Sequence, residues 1–329
     1  MKTSFYHVIV FAIVCSLPMA ACGGGGGGVG PNATASSVPA SSPAPAPAPQ
    51  QTTPTPTVTV PANFQPANTT ITYPITSAVA GPSSTGLTPA SPGEGLTAAI
   101  VTTDASGSFG RISFSLPNVA GKTVTADVNL TFVSPQLSQL ASMLKQVFGP
   151  FTDDDAVVLA LVQSAGAQGL TSSAFGLWGG AYENDPSGNG AGRAYAFAFG
   201  NLTPSASVPA TGSANFNGTT TGMGGGGGTN SLYALQGNAQ MIANFSTQSV
   251  TSKFTNLTTQ NIYTNATGAL PDLTGTAAIS GNAYSGPITG TGLTGSLNGH
   301  FYGSAAQETA GVWQAAGAGN SWMGSFGAK

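Results

Sequence analysis

From Ser173 to the end of the chain, apolar and polar residues alternate segment after segment, with Gly, Asn and Pro between the segments. A period of two marks half-buried β-strands. Tyr195, Phe197 and Phe199 alternate with alanines, and Ala214 and Phe216 alternate with Ser213, Asn215 and Asn217. Tyr233, Leu235, Ala239, Met241, Ala243 and Phe245 alternate with Gln236, Asn238, Gln240 and Asn244. Leu293, Leu297 and Phe301 share a face with Gly295 and Gly299, and Trp322, Gly324, Phe326 and Ala328 end the pattern. Eight strands are predicted, at about 174–183, 193–202, 212–222, 232–246, 249–259, 274–284, 293–303 and 310–328, the last with a break near Gly317 to Asn320. Eight long strands in so short a stretch predict a closed antiparallel barrel over 173–329. Closure also removes the exposed edges that drive aggregation.

Residues 93–172 read as a small α+β region. Ile112 to Leu116 and Val124 to Val133 alternate as strands do. Ser134-Pro135 opens a helix along which Leu137, Leu140, Leu144 and Val147 fall at helical spacing, and Gly149-Pro150 stops it. Thr152, followed by Asp153, Asp154 and Asp155, predicts a second helix over 156–165. The three carboxylates lack the alternating ligand spacing of a calcium loop. At a helix N-terminus they offset the macrodipole.

The first 21 residues have a basic start at Lys2, a ten-residue apolar centre from Val8 to Leu17, and a small-residue end. That centre is too short to span a bilayer as a helix and reads as a secretory signal peptide. The end, Met19-Ala20-Ala21-Cys22, resembles the bacterial lipobox, with Met19 where leucine is usual. The resemblance implies a lipid on Cys22; the alternative is ordinary signal cleavage with Cys22 a bystander. Cys15 leaves with the signal, so Cys22 would be the lone cysteine of an exported chain, and acylation accounts for it.

Residues 22–92 read as a disordered tether. Gly23 to Gly28 is a run of glycines, Pro31 to Pro61 is rich in Pro, Ala, Ser and Thr, and no Lys, Arg, Asp or Glu falls between Lys2 and Glu94. Such a segment buries too little apolar surface to offset chain entropy. A long tether behind a lipid argues for a soluble barrel with an apolar interior. The alternation alone equally suits an outer-membrane barrel, which faces its apolar side outward.

Charged residues are 5% of the chain, against about 25% in an ordinary domain. The seven Lys and Arg are scattered, which excludes the basic footprint of a nucleic-acid binder. With His7 and His300 the only histidines, most metal sites and nucleophile–base pairs lack their raw materials. His300 has its neighbours Leu297 and Phe301 on the inward face, so its imidazole points out of the barrel; it reads as a surface residue, with haem ligation the alternative. Gly290 to Gly295 matches G-x-G-x-x-G but lacks the strand–turn–helix setting that binds phosphate. Glu183 and Asp185, the one close carboxylate pair of the barrel region, sit at an apparent turn and offer little for glycoside cleavage. The chain reads as a non-enzyme that needs no cofactor.

The C-terminal residues carry a resemblance. Gly295-Ser296-Leu297-Asn298-Gly299-His300-Phe301-Tyr302-Gly303 leads into Ala305-Ala306-Gln307-Glu308-Thr309-Ala310-Gly311-Val312-Trp313, and the chain ends Gly324-Ser325-Phe326-Gly327-Ala328-Lys329. These resemble the closing strands of the transferrin-binding-protein-like β-barrel lipoproteins, with their G-x-F-Y-G, A-A-x-E-x-A-G and F-G-A-K segments. Gly212 to Gly218 resembles that family's G-x-A-x-Y-x-G strand, and Phe175-Gly176-Leu177-Trp178 its first barrel strand. The resemblance implies a lipid-anchored outer-membrane protein exposed at the surface of a Gram-negative bacterium. It also implies export by an outer-membrane translocator and capture of a host protein, glycan or haem source. Members that bind transferrin have two lobes; here there is one barrel, and no transferrin contact can be mapped. The motif residues read as structural: Phe301 fills the barrel and Glu308 bonds near a turn.

Two functions fit a lipid-anchored barrel on a stalk. One is a module that captures a ligand through barrel loops; the other is a structural or adhesive surface protein with an inert head. Two glycine-rich connections, 184–192 and 222–230, with Tyr182 and Met223 beside them, favour the first, because recognition commonly lives on loops above a rigid scaffold. The ligand-binding residues themselves and the oligomeric state are not readable from the sequence.

Overall fold

A computed structural model of the chain describes residues 7–8, 70–83, 86–89, 98–103, 109–115, 125–129, 137–148, 157–163, 169–182, 191–226 and 230–329. Contacts divide the chain into Met1–Ala12 with Pro61–Lys329, which holds every described residue, and Ile13–Val60. Most of the predicted signal peptide, Cys22 and the first part of the tether lie outside the described residues.

The first sheet is built from β1 (His7–Val8), β2 (Thr70–Ser83), β3 (Gly86–Pro89), β4 (Ala98–Thr103), β5 (Phe109–Ser115), β6 (Thr125–Asn129), β7 (Val157–Gln163), β8 (Ser173–Tyr182) and β9 (Ala191–Gly200). Its order is β1-β7-β8-β9-β2-β4-β5-β6, with β3 paired to β2. The helix α1 spans Leu137–Phe148, as its spacing predicts, and buries Leu140, Ala141 and Leu144 in a cluster with Leu232 and Met223 of the barrel wall and Ile262 just beyond β12.

Three expectations are corrected here. The run Val157 to Val162 is a strand paired to β8, not a helix; a short apolar run rich in valine is ambiguous by periodicity, and the neighbouring strand decides it. The tether assignment extends too far, because β2 and β3 lie within 70–89; the alternation Ile71, Tyr73, Ile75 is a strand signal inside a biased composition. The strands predicted at 174–183 and 193–202 form in place as β8 and β9, but they pair with each other and with β7 and β2 rather than in the barrel.

The barrel comprises β10 (Ser213–Gly226), β11 (Leu232–Asn244), β12 (Ser249–Asn261), β14 (Leu273–Ser280), β15 (Ala283–Gly290), β16 (Leu293–Tyr302), β17 (Glu308–Gly317) and β18 (Asn320–Ala328). A short strand, β13 (Thr267–Ala269), folds back on β12. Every barrel pairing is antiparallel between neighbours in sequence, and β10 pairs with β18 to close the ring. The count is eight, as expected, but the membership differs. The barrel begins at Ser213, the predicted 310–328 strand divides at Ala318-Gly319, and β15 is one that Pro287 concealed. Proline in a strand argues against that assignment from sequence. Gly281 turns β14 into β15 with φ +61°, and Ala318 takes φ +49° in the two-residue turn before β18, the left-handed region that such hairpin turns require.

The interior is filled by Phe254, Phe301, Phe326, Trp313, Tyr284, Leu235, Met241, Ile288 and Leu297, all essentially inaccessible to solvent. Phe254 stands 5.5 Å from Trp313 and 5.6 Å from Phe326, centroid to centroid. The polar ends of the rings are satisfied: Trp313 Nε1 donates to Thr220 Oγ1 at 2.8 Å, and the Tyr284 hydroxyl meets Thr309 Oγ1 at 2.6 Å. Buried aromatics that also find partners give a core with one arrangement rather than many.

Candidate functional site

The first sheet docks on the outer wall of the barrel, and the C-terminal motif residues make the joint. Glu308 points outward from β17, is 1% exposed, and accepts four hydrogen bonds from the segment that leads into β8. Its Oε1 accepts from Thr171 N at 2.5 Å and Thr171 Oγ1 at 3.0 Å; its Oε2 accepts from Ser172 N at 3.0 Å and Ser173 Oγ at 2.8 Å. A carboxylate so saturated is a charge-assisted clasp. Ser325 Oγ donates to Gly176 O at 2.8 Å, and Lys329 Nζ donates to Gly169 O at 3.1 Å. Thr203 ties the linking chain to the barrel base: its N donates to Phe301 O at 2.9 Å and its hydroxyl donates to Gly303 O at 2.8 Å.

The alanine face of β9 completes this joint. Ala194 and Ala196 cluster with Val312 and Met323, and Ala198 with Ala310 and Tyr302. Small side chains let one sheet lie close against another. His300 stands at the edge of the same junction. It does point out of the barrel, but β2 covers it: Nδ1 lies 3.2 Å from Thr76 Oγ1, and the ring meets Tyr302 edge-on at 6.4 Å. Burial pushes its pKa below the ordinary 6.5.

The other, open end of the barrel carries the connection from β10 to β11 and three whose outer residues are exposed: Ile262 to Asp272, Thr291-Gly292 and Ala318-Gly319. Thr264 to Ala269, Pro271, Asp272, Thr291, Gly292, Ala318 and Gly319 are exposed. Half-buried Tyr233 packs against Trp322 at this end, 6.0 Å between ring centroids. The longest connection is fixed at its base by Asn261, whose Oδ1 accepts from Tyr263 N and Thr264 N at 2.9 Å each and whose Nδ2 donates to Asn230 O at 2.8 Å.

Several sequence candidates are placed differently by the structure. Gly222 to Gly225 are paired on both sides within β10 and Gly226 with β18, so these residues of the proposed loop 222–230 are strand, while 227–229 lie outside the described residues; Met223 is fully buried in a cluster that includes Leu140 and Leu144. Glycine alternation in a strand that packs closely against Trp322 looks like a loop when read as composition. Residues 184–190, with Asp185, lie outside the described residues, as do Glu183, Asp153 to Asp155 and Cys22; Gly192 is in β9. Gly290 to Gly295 spans the β15–β16 hairpin turn, not a strand–turn–helix unit. Among the described residues no three His, Cys, Asp or Glu side chains gather as a metal site. The Glu308 clasp and the Ile262–Asp272 connection were missed as sites, the first because its partners lie more than a hundred residues upstream.

A closed, aromatic-filled barrel with a sheet clasped to its outer wall defines the class of protein: an antiparallel β-barrel with an accessory sheet. Residues 208–329 match the family model described as the C-lobe and N-lobe beta barrels of Tf-binding protein B. That match covers the barrel and supports a transferrin-binding-protein-like barrel family for it. No curated protein sequence matches the chain. Solved structures that resemble it include a Trp-176-Ala mutant of the vaccine antigen transferrin binding protein B from Haemophilus parasuis, with 14% identity and TM-score 0.39, covering 74% of this chain and 58% of that one. The N-lobe of lactoferrin binding protein B from Moraxella bovis gives 13% identity and TM-score 0.36, covering 77% and 99%. The haemoglobin receptor HpuA from Kingella denitrificans gives 13% identity and TM-score 0.34, covering 82% and 88%. At these values the likenesses assign no ligand to this chain.

Proposed function

We propose that the protein is a non-enzymatic surface lipoprotein that captures a host or environmental ligand through the open end of its barrel. The ligand class is a protein, or a haem or other iron source. The observation that carries this reading is the family match over residues 208–329, which coincides with the closed barrel. The open end supports it, because the longest connection of the barrel, Ile262 to Asp272, lies there and is exposed from Thr264 to Ala269. Recognition on loops above a rigid scaffold is the usual arrangement. Cys22 carries the lipid that holds the chain to the outer membrane, and a translocator brings it to the cell surface.

The test uses the full-length protein in detergent, with serum proteins and haem as separate probes. Saturable binding that is lost when Ile262 to Asp272 is replaced by a short turn supports the reading. Binding that survives that replacement moves the site elsewhere. A Soret shift abolished by His300→Ala would replace the loop site with haem ligation at the sheet–barrel junction. Cys22→Ser should release the protein from membranes; retention of that variant overturns the anchor.

A further inference from the structure

The eight wall strands of the barrel are paired on both sides, whereas β13 is paired only with β12. The hydrogen-bond parity of that pair is readable. Asn261 N donates to Ala266 O, and Leu270 N donates to Leu257 O, both at 2.8 Å. Antiparallel partners alternate between bonded and non-bonded pairs. The bonded pairs are therefore 261 with 266, 259 with 268, and 257 with 270. Gly268 spends its N–H and C=O on Thr259. Thr267 and Ala269 turn theirs to the opposite side, where no pairing is made among the described residues.

We propose that β13 is a docking strand, at which the ligand of this module adds an extended, uncharged polypeptide segment by backbone pairing. The inference rests on the ligand-binding reading above and names the form in which the ligand is held. Four features favour this occupant. Thr267 and Ala269 offer donors and acceptors at alternate positions, a pattern that another extended backbone matches in full. All three residues of β13 are exposed, and none is large. No charged side chain occurs from Phe254 to Pro271, so the edge recognises backbone rather than charge. The edge is also pre-organised, since Asn261 clamps one flank and Leu270 packs against the barrel core at the other; a rigid edge loses little freedom on binding.

The experiment follows backbone amide exchange by NMR in the full-length protein, with a soluble octapeptide of alternating Thr and Val as probe. In the free protein the Gly268 amide should exchange slowly, and those of Thr267 and Ala269 fast. Added peptide should slow Thr267 and Ala269 and leave Gly268 unchanged. Ala269→Pro removes one outward N–H and spares the Gly268–Thr259 pair, so it should weaken the peptide by about tenfold while Gly268 stays protected. Thr267→Pro repeats the test at the other outward amide if the first variant loses that protection. Peptide affinity unchanged in both variants, or no protection at saturating peptide, overturns the proposal. Protection that grows with protein concentration alone assigns the edge to a second copy and also overturns it. If the peptide protects the edge but the protein captures neither serum proteins nor haem, the docking strand stands and the module reading falls.

Discussion

The ring of Phe175 rests on Gly327: a Cβ at that position would lie 2.3 Å from the ring's Cδ1, with Leu170 Cδ1 at 2.8 Å. Phe175 belongs to β8 of the first sheet and Gly327 to the last barrel strand, so this one missing side chain lets the two layers touch. Gly327→Ala should lower stability by about 1–3 kcal/mol, the usual cost of overpacking a filled contact. In a double-mutant cycle with Phe175→Ala the alanine should cost much less. Additive losses in chemical denaturation would show that the two residues do not share this contact.

Glu308→Ala should strip four donors of their acceptor at once. Buried donors left unpaired cost about 1–3 kcal/mol each before relaxation, so a loss of roughly 3 kcal/mol or more is expected. The amides of Thr171 and Ser172 should lose exchange protection first. Glu308→Gln keeps the shape but turns an amide NH₂ toward two donors, so it should recover only part of the stability. An alanine variant as stable as the parent would remove the clasp from the account of this joint.

Acid should weaken the fold through His300. Its pKa in the folded chain is pushed down by burial from the ordinary 6.5, so the unfolded chain binds the proton more readily. The contribution of the neutral imidazole is fully present above pH 6.5 and is lost as pH falls from there through the folded value. Unfolding free energies measured between pH 5 and 8 should decline on the acid side, and His300→Gln should flatten that decline. A slope unchanged in the variant would assign it to other groups.

Phe326 lies inside the barrel against Phe254, and Trp322 on the same face packs against Tyr233. Phe326→Ala should cost about 3–5 kcal/mol, close to the whole stability of many domains. Removing residues 321–329 should leave a chain that proteases digest rapidly. A truncated protein that melts like the parent would contradict the role of β18 in the wall.

Much of the barrel was legible because its walls are simple. Leu297, Phe301, Trp322 and Phe326 alternate with small or polar neighbours, and that pattern fixes which face turns inward. β9 misled for a physical reason. Its aromatic residues alternate with alanine rather than with Asn, Gln, Ser or Thr, so both faces are buried, one of them against the barrel. A polar outer face would have marked a barrel wall; the alanines mark a strand between layers. Glu308 could be singled out as a buried motif residue, but not paired, because Ser173 stands 135 positions away and nothing local in either segment names the other. β13 was invisible for the opposite reason: Thr-Gly-Ala is too short and too small to show any period.

The ring closes where β10 meets β18, in a register that sets Gly218 beside Ala328 and Gly226 beside Asn320. Partners so far apart in the chain give the fold a high contact order, and loop-closure entropy must be met before that pairing is rewarded. The wall cannot be completed until the final strand is available, and the Glu308 and Lys329 contacts to the first sheet form over the same late stretch. A polypeptide whose last strand decides the ring spends its early lifetime open, with β10 and β17 presenting unpaired edges. Until the last strand arrives, those two edges are templates for wrong pairing, so the interval before closure is the one in which a holding chaperone matters most.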